Sequence, residues 1–198
     1  MKGPLRIRAA TLLGLAAVVL ASSLQGCALL REMGAVRQLD FSLEGVTDVR
    51  LAGVELDRVQ RFEDLGGADL IHLGRVFSEG ELPLSLTLRV RADNPDDNPR
   101  ARITALQWDL RLRDRETVSG ALDDEVVVEP GEAAEVPLTA QVDLVRFFEG
   151  SLRDLAAVAM ALARAEPTGD DLQLRVRPEV RTRLGSVQYP SPLVLSPG

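Results

Sequence analysis

Between Leu82 and Asp93 the chain alternates without a break. Leu82, Leu84, Leu86, Leu88, Val90 and Ala92 are interleaved with Pro83, Ser85, Thr87, Arg89, Arg91 and Asp93. A period of two predicts a strand with one buried and one solvated face. It runs straight into Asn94-Pro95 and Asn98-Pro99. The same alternation returns in Ile103, Leu106, Trp108, Leu110 and Leu112, set against Gln107, Asp109, Arg111 and Arg113. It recurs in Val136, Leu138, Ala140, Val142 and Leu144, and in Leu172, Leu174 and Val176 opposite Gln173, Arg175 and Arg177. Shorter strands are expected in Phe41 to Leu56, with a bulge near Gly53, and in Thr117 to Leu122. Others are expected around a turn at Gly185-Ser186 and at Leu193 to Leu195. The Pro130-Gly131 turn, with Glu125 to Val128 before it and an alternating run after it, predicts a hairpin. Pro178, Pro190 and Pro192 suit edge positions, where a missing N–H costs nothing.

Two segments have the helical period instead. Leu70, Leu73, Val76 and Phe77 predict an amphipathic helix over residues 67–79, stopped at Gly80. Leu152, Leu155, Ala156, Ala159, Leu162 and Ala163 predict a second over residues 148–165, ended by Pro167-Thr168-Gly169. Its alanine-rich stripe suits packing on a sheet better than lying on a membrane surface, which favours large apolar anchors and flanking lysines. Many short strands with frequent turns and one or two accessory helices predict a mainly β protein, an antiparallel β-sandwich of the fibronectin-III or immunoglobulin kind. Residues 41–198 are expected to form it as a single domain.

The first 26 residues follow another rule. Met1 to Arg8 is basic, Ala9 to Leu20 is almost wholly apolar, and Ala21 to Gly26 is small and polar apart from Leu24. That order is the anatomy of a secretory signal, and the apolar run is too short for a permanent transmembrane helix. Leu24-Gln25-Gly26-Cys27 resembles the lipobox of bacterial lipoproteins. The resemblance implies signal-peptidase recognition of Leu24, Gln25 and Gly26, removal of residues 1–26, and acylation of Cys27. Residues 27–40 would then form a tether. Two or more acyl chains hold a protein firmly on a bilayer. Ala28, with no aspartate in its place, resembles cargo sent to the outer membrane, on its periplasmic face, in preference to the inner membrane.

Composition narrows the chemistry. Cys27 and His72 are the only cysteine and histidine, so no internal disulfide, no zinc site and no metal site built on those ligands is expected. Without Lys2, Arg6 and Arg8 the formal charge goes from −7 to −10, which argues against a nucleic-acid partner. Aromatics are 4% of the chain, too few for stacking platforms. No phosphate-cradling glycine loop is present, and His72 has no nucleophile spaced to make a triad, so neither a cofactor nor an enzymatic activity is expected. The acids at Asp96-Asp97, Asp123-Asp124-Glu125 and Asp170-Asp171 lack the spacing of a calcium loop.

From Val46 to Leu144 the chain resembles the late embryogenesis abundant group 2 family, also called the water-stress and hypersensitive-response (WHy) domain. The matching features are the apolar strand ending in Asn94-Pro95, the strand with Ile103, Leu106 and Trp108, and Val118-Ser119-Gly120. Pro130-Gly131 and the run Val136-Pro137-Leu138 to Val142-Asp143-Leu144 complete the match. The resemblance implies a fibronectin-III-like sandwich and a protective role in desiccation, cold or other stress. Asn94 and Pro95 are expected to shape a turn, since proline forces the preceding residue out of the helical region. Two functions are therefore carried forward. The first is a non-catalytic, membrane-tethered envelope lipoprotein that shields partly unfolded client proteins. The second is an envelope adaptor that binds one specific protein.

Overall fold

The computed structural model describes residues 34–113, 115–164, 172–182 and 185–196. The signal region, Cys27 and the acids at 170–171 lie outside them. The strand that opened the sequence reading, β3 (Pro83–Asp93), is the middle of the first sheet. It pairs antiparallel with β1 (Asp40–Leu51) on one side and β8 (Ala133–Asp143) on the other. A short β2 (Val54–Glu55) extends β1 at the edge. Leu84, Leu86, Leu88, Val90 and Ala92 are each 1% exposed or less, so the period-two reading is met at every position.

The second sheet has β5 (Ala105–Leu112) and β9 (Leu172–Thr182) at its centre and β6 (Arg115–Leu122) on the free side of β5. The far side of β9 is shared by β10 (Gly185–Gln188) and β11 (Leu193–Leu195). Leu106, Trp108, Leu110 and Leu112 join Leu172, Leu174 and Val176 on the inner face, in one cluster with the inner face of the first sheet. This is an antiparallel β-sandwich with few helices, as the strand pattern predicts. Its core is aliphatic, with Trp108 and Phe41 as its buried aromatics among the described residues.

Several local expectations are corrected. The run before Gly131 does not form a hairpin with β8. β7 (Val126–Val128) pairs instead with β4 (Ala101–Ile103) in a separate small ladder, while β8 pairs with β3. The Pro130-Gly131 turn thus passes the chain from one ladder to another. Gly53 sits in the two-residue turn between β1 and β2, not in a bulge. The bulges in β1 fall between Leu43 and Gly45 and between Thr47 and Arg50. Each inserts one residue, which keeps Phe41, Leu43, Val46, Val49 and Leu51 all buried despite their uneven spacing. Gly185 and Ser186 are strand residues of β10, paired with Thr182 and Arg181 of β9, and do not form the turn.

Pro178 is also not at an edge, because β9 has neighbours on both sides. Its carbonyl accepts from Tyr189 N–H on the side where β10 has ended and β11 has not begun. The missing N–H faces that break, so no ladder bond is lost.

The two longer helices fall within the predicted segments, whereas the short one after β8 takes up Leu144, which the alternating run had placed in a strand. α1 spans Gly67–Ser78, so this insertion is a helix and not a loop. Four residues, Leu144–Phe147, form the short α2 directly after β8. α3 spans Leu152–Ala163 and not 148–165, because Ser151 caps it: Ser151 Oγ accepts from Asp154 N–H, and Ser151 N–H donates to Asp154 Oδ2 at 2.9 Å. Leu155, Ala156, Ala159, Met160 and Leu162 are buried in the common core, and α3 packs against β1.

The core also reaches further toward the N-terminus than residue 41. Residues 34–37 form a helical turn, and Ala35, Val36 and Leu39 are buried.

Candidate functional site

Asn94 and Asn98 are the buried polar residues of the described chain, at 3% and 1% exposure. Their loop starts where β3 ends. Asn94 N–H donates to Glu132 O at 2.8 Å, and Gly131 N–H returns a bond to Asn94 O at 2.9 Å. The side chain works in a third direction: Asn94 Nδ2 donates to Val128 O at 2.9 Å and to Pro99 O at 3.2 Å. Asn98 N–H closes the turn on Pro95 O at 3.1 Å. Asn98 Nδ2 then donates both to Asn94 Oδ1 and, at 2.9 Å, to Ala35 O. The two Asn-Pro pairs therefore clasp β3, the β7–β8 turn and the N-terminal helical turn together. Asn98 Oδ1 has no partner.

Pro95 keeps Asn94 extended, so its amide reaches sideways into the clasp instead of starting a helix. Gly131 (φ 72°) serves the same junction, because a Cβ there would lie 2.2 Å from Asp96 Oδ1. Asn98 was not singled out as a site residue. Its signal was the doubled Asn-Pro, and what lay beyond the sequence was its partner, a carbonyl 63 residues away.

His72 and Gly120 make structural contacts. His72 Nε2 lies 2.9 Å from Ala52 O, linking α1 to the tip of the β1–β2 hairpin, where Ala52 has φ 45°. Ala52 N–H is held by Pro83 O at 2.6 Å. Val118-Ser119-Gly120 owes its glycine to the only tryptophan: Gly120 is the cross-strand partner of Trp108, and a Cβ there would lie 2.3 Å from the indole Cζ2. Among the described residues no three His, Cys, Asp or Glu side chains gather as a metal site would require. Leu24, Gln25, Gly26 and Cys27 lie outside the described residues. No helix among those described is long and apolar enough to cross a membrane.

No family model matches the chain, and no curated protein matches its sequence. Among solved structures, several are similar at a low level. One is the solution structure of a putative late embryogenesis abundant (LEA) protein, 12% identical, covering 95% of this chain and 89% of that one, with a TM-score of 0.37. Another is the putative ApaA protein of Bordetella pertussis, 16% identical, covering 80% of this chain and 93% of that one, with a TM-score of 0.32. A third is a protein from Archaeoglobus fulgidus, 13% identical, covering 57% of this chain and 80% of that one, also at 0.32. At identities this low, function has to be read from the residues.

One surface feature escaped the sequence reading. Arg175 and Arg177 project from the solvent face of β9 beside a groove lined by Gln107, Trp108, Asp109, Ser119, Gly120, Ala121 and Pro192. The alternation at 172–177 marked those arginines as solvated. It could not show which strands would stand beside them.

Proposed function

We propose that this chain is a non-catalytic envelope lipoprotein, held on the periplasmic face of the outer membrane through acylated Cys27, that protects partly unfolded proteins during desiccation, cold or similar stress. The observation that carries the reading is Leu24-Gln25-Gly26-Cys27 at the end of a basic–apolar–small leader, so close to a folded domain. Ala35 is already buried, eight residues after Cys27. At ~3.5 Å per residue the intervening segment reaches no more than about 28 Å, so an acylated Cys27 keeps the sandwich near the bilayer.

The protective part rests on the WHy-like motif order and on the surface. The charge of −10 from Cys27 onward keeps the protein, and a client bound to it, dispersed by mutual repulsion. Mass spectrometry of the mature N-terminus tests the anchor: diacylglyceryl on Cys27 is expected, and Cys27→Ser should release the protein from membranes. A mature N-terminus elsewhere overturns the anchoring. Freeze–thaw aggregation of a client enzyme tests protection, and no protection at comparable molar ratios overturns it.

One observation favours the adaptor reading. Ile71, on α1, is 76% exposed, the most exposed large apolar side chain described. Crosslinking in cells separates the two, with one stoichiometric partner for an adaptor and a diffuse set for a protector. Lys2 is the only lysine and lies in the leader, so carboxylate-directed or photoactivated reagents are required.

A further inference from the structure

Two arginines of the second sheet differ from the outer arginines of the first. On the first sheet, Arg89 pairs with Glu44 at 3.1 Å and Glu135 at 3.0 Å, and Arg91 pairs with Asp93 at 2.8 Å. On the second, Arg175 and Arg177 stand two residues apart on the same side of β9 and make no ion pair among the described residues. The register places Asp109 opposite Arg175 and Gln107 opposite Arg177. With Ser119 of β6 and Pro192 they line a groove of about 290 Å³. Arg177 Nε, like Arg89 Nε on the first sheet, is closed off from solvent without an aligned hydrogen bond, but unlike Arg89 it has no carboxylate in ion-pair range among the described residues.

We propose that this groove binds a small molecule that carries an oxyanion with a hydroxyl or ammonium donor beside it. Guanidinium forks match carboxylate and phosphate oxygens two at a time, and Arg175 and Arg177 present two such forks on one face. Asp109 sits among them as an acceptor. It takes the donor of the ligand and disfavours an anion that brings none. Gln107 and Ser119 supply neutral hydrogen bonds around the same space. The volume lies at the small end of the ~300–1,000 Å³ usual for ligand pockets, which suits an amino-acid-sized molecule. In an acidic protein these two cations make a local positive spot that concentrates such a ligand against the prevailing repulsion.

The test is an NMR titration of the ¹⁵N-labelled chain from Cys27 onward, carrying Cys27→Ser. L-glutamate serves as an oxyanion with a donor, and acetate and inorganic phosphate as oxyanions without an ammonium. Saturable shifts confined to residues 107–109, 119–121 and 175–177 are expected, with glutamate at least tenfold tighter than acetate. Arg175→Gln with Arg177→Gln should weaken binding at least tenfold, and Asp109→Asn should narrow the glutamate preference. Should the double variant fail to fold, Arg177→Lys keeps the charge and removes the fork, and is expected to weaken binding too. Linear shifts, shifts scattered over the surface, or shifts that persist in the folded arginine variants overturn the site. Acetate or phosphate binding as tightly as glutamate overturns the role given to Asp109.

Discussion

Asn94 Nδ2 serves Val128 O in a buried bond and Pro99 O in a part-buried one, so its loss leaves one buried and one half-buried carbonyl without that donor. Asn94→Ala is expected to cost roughly 2–4 kcal/mol, at ~1–3 kcal/mol for each buried group left without its partner. Asn94→Asp keeps the shape but cannot donate when ionised, and should cost at least as much. Urea unfolding of both variants measures this. A change below ~1 kcal/mol would show that water reaches the clasp. Gly120→Ala tests the opposite condition, a space already filled. Its Cβ would sit 2.3 Å from the indole Cζ2, so the ring or strand β6 must shift. A cost of about 1–3 kcal/mol is expected, together with a change in emission from the single tryptophan. Unaltered emission and stability would mean that the indole does not lie over Gly120.

The same contrast between local pattern and distant partner governs the elements. β3 was fully legible because it carries no bulge itself, those of its ladder with β1 lying in β1, and one face is dry, so period two survives intact. β1 was legible only as a strand with irregular spacing, since its two bulges show themselves through the facing register of β3. The Pro130-Gly131 turn was legible as a turn, but turn chemistry does not say which strands pair across it. β7 pairs with β4 and not with β8. The clasp was half legible: proline after asparagine gives the bend, whereas Ala35 and Val128 as acceptors depend on tertiary folding.

Helix α3 starts with the first residue of its apolar stripe, Leu152, and not at the predicted residue 148, because Ser151 and Asp154 mark its first turn. The Ser151 hydroxyl, bonded to Asp154 Oδ2 at 2.6 Å, is the main cause that holds the Asp154 carboxyl below its ordinary value, and Ser151 N–H adds to it. Glu63, on the 3-10 turn at Phe62–Asp64, is held low chiefly by its hydrogen bond from Arg153 on α3. A carboxyl lowered in the folded state contributes in full above its unfolded pKa and loses that contribution as pH falls through the folded value. Loosening of the first turn of α3 is therefore expected below about pH 4, near the ordinary carboxylate range. Amide exchange at Asp154 and Leu155 compared at pH 3 and pH 6 would measure it. Ser151→Ala should cost about 0.5–2 kcal/mol at neutral pH and flatten the acid dependence. Equal acid sensitivity in that variant would locate the titration elsewhere.

For the whole molecule, the proposed anchor makes the start of the fold the region that matters most. If acylated Cys27 holds the chain on a membrane, any pull on the sandwich passes through residues 34–39. There Ala35, Val36 and Leu39 are buried, and Asn98 Nδ2 grips Ala35 O. The clasp would then tie the attachment point to the end of the central strand and to the β7–β8 turn, and a pull on the tether would be shared between the two ladders. Shortening the chain tests this directly. A chain beginning at Gly34 should match the full mature chain in stability. One beginning at Phe41 loses Val36 and Leu39 from the core, worth ~1.5–3 kcal/mol each when fully buried, and also removes a buried acceptor from Asn98. A loss of at least about 3 kcal/mol is expected, with the largest rise in amide exchange in the loop from Asn94 to Pro99 and in β1. Equal stability of the two shortened chains would show that residues 34–40 belong to the tether and that the clasp on Ala35 bears no load.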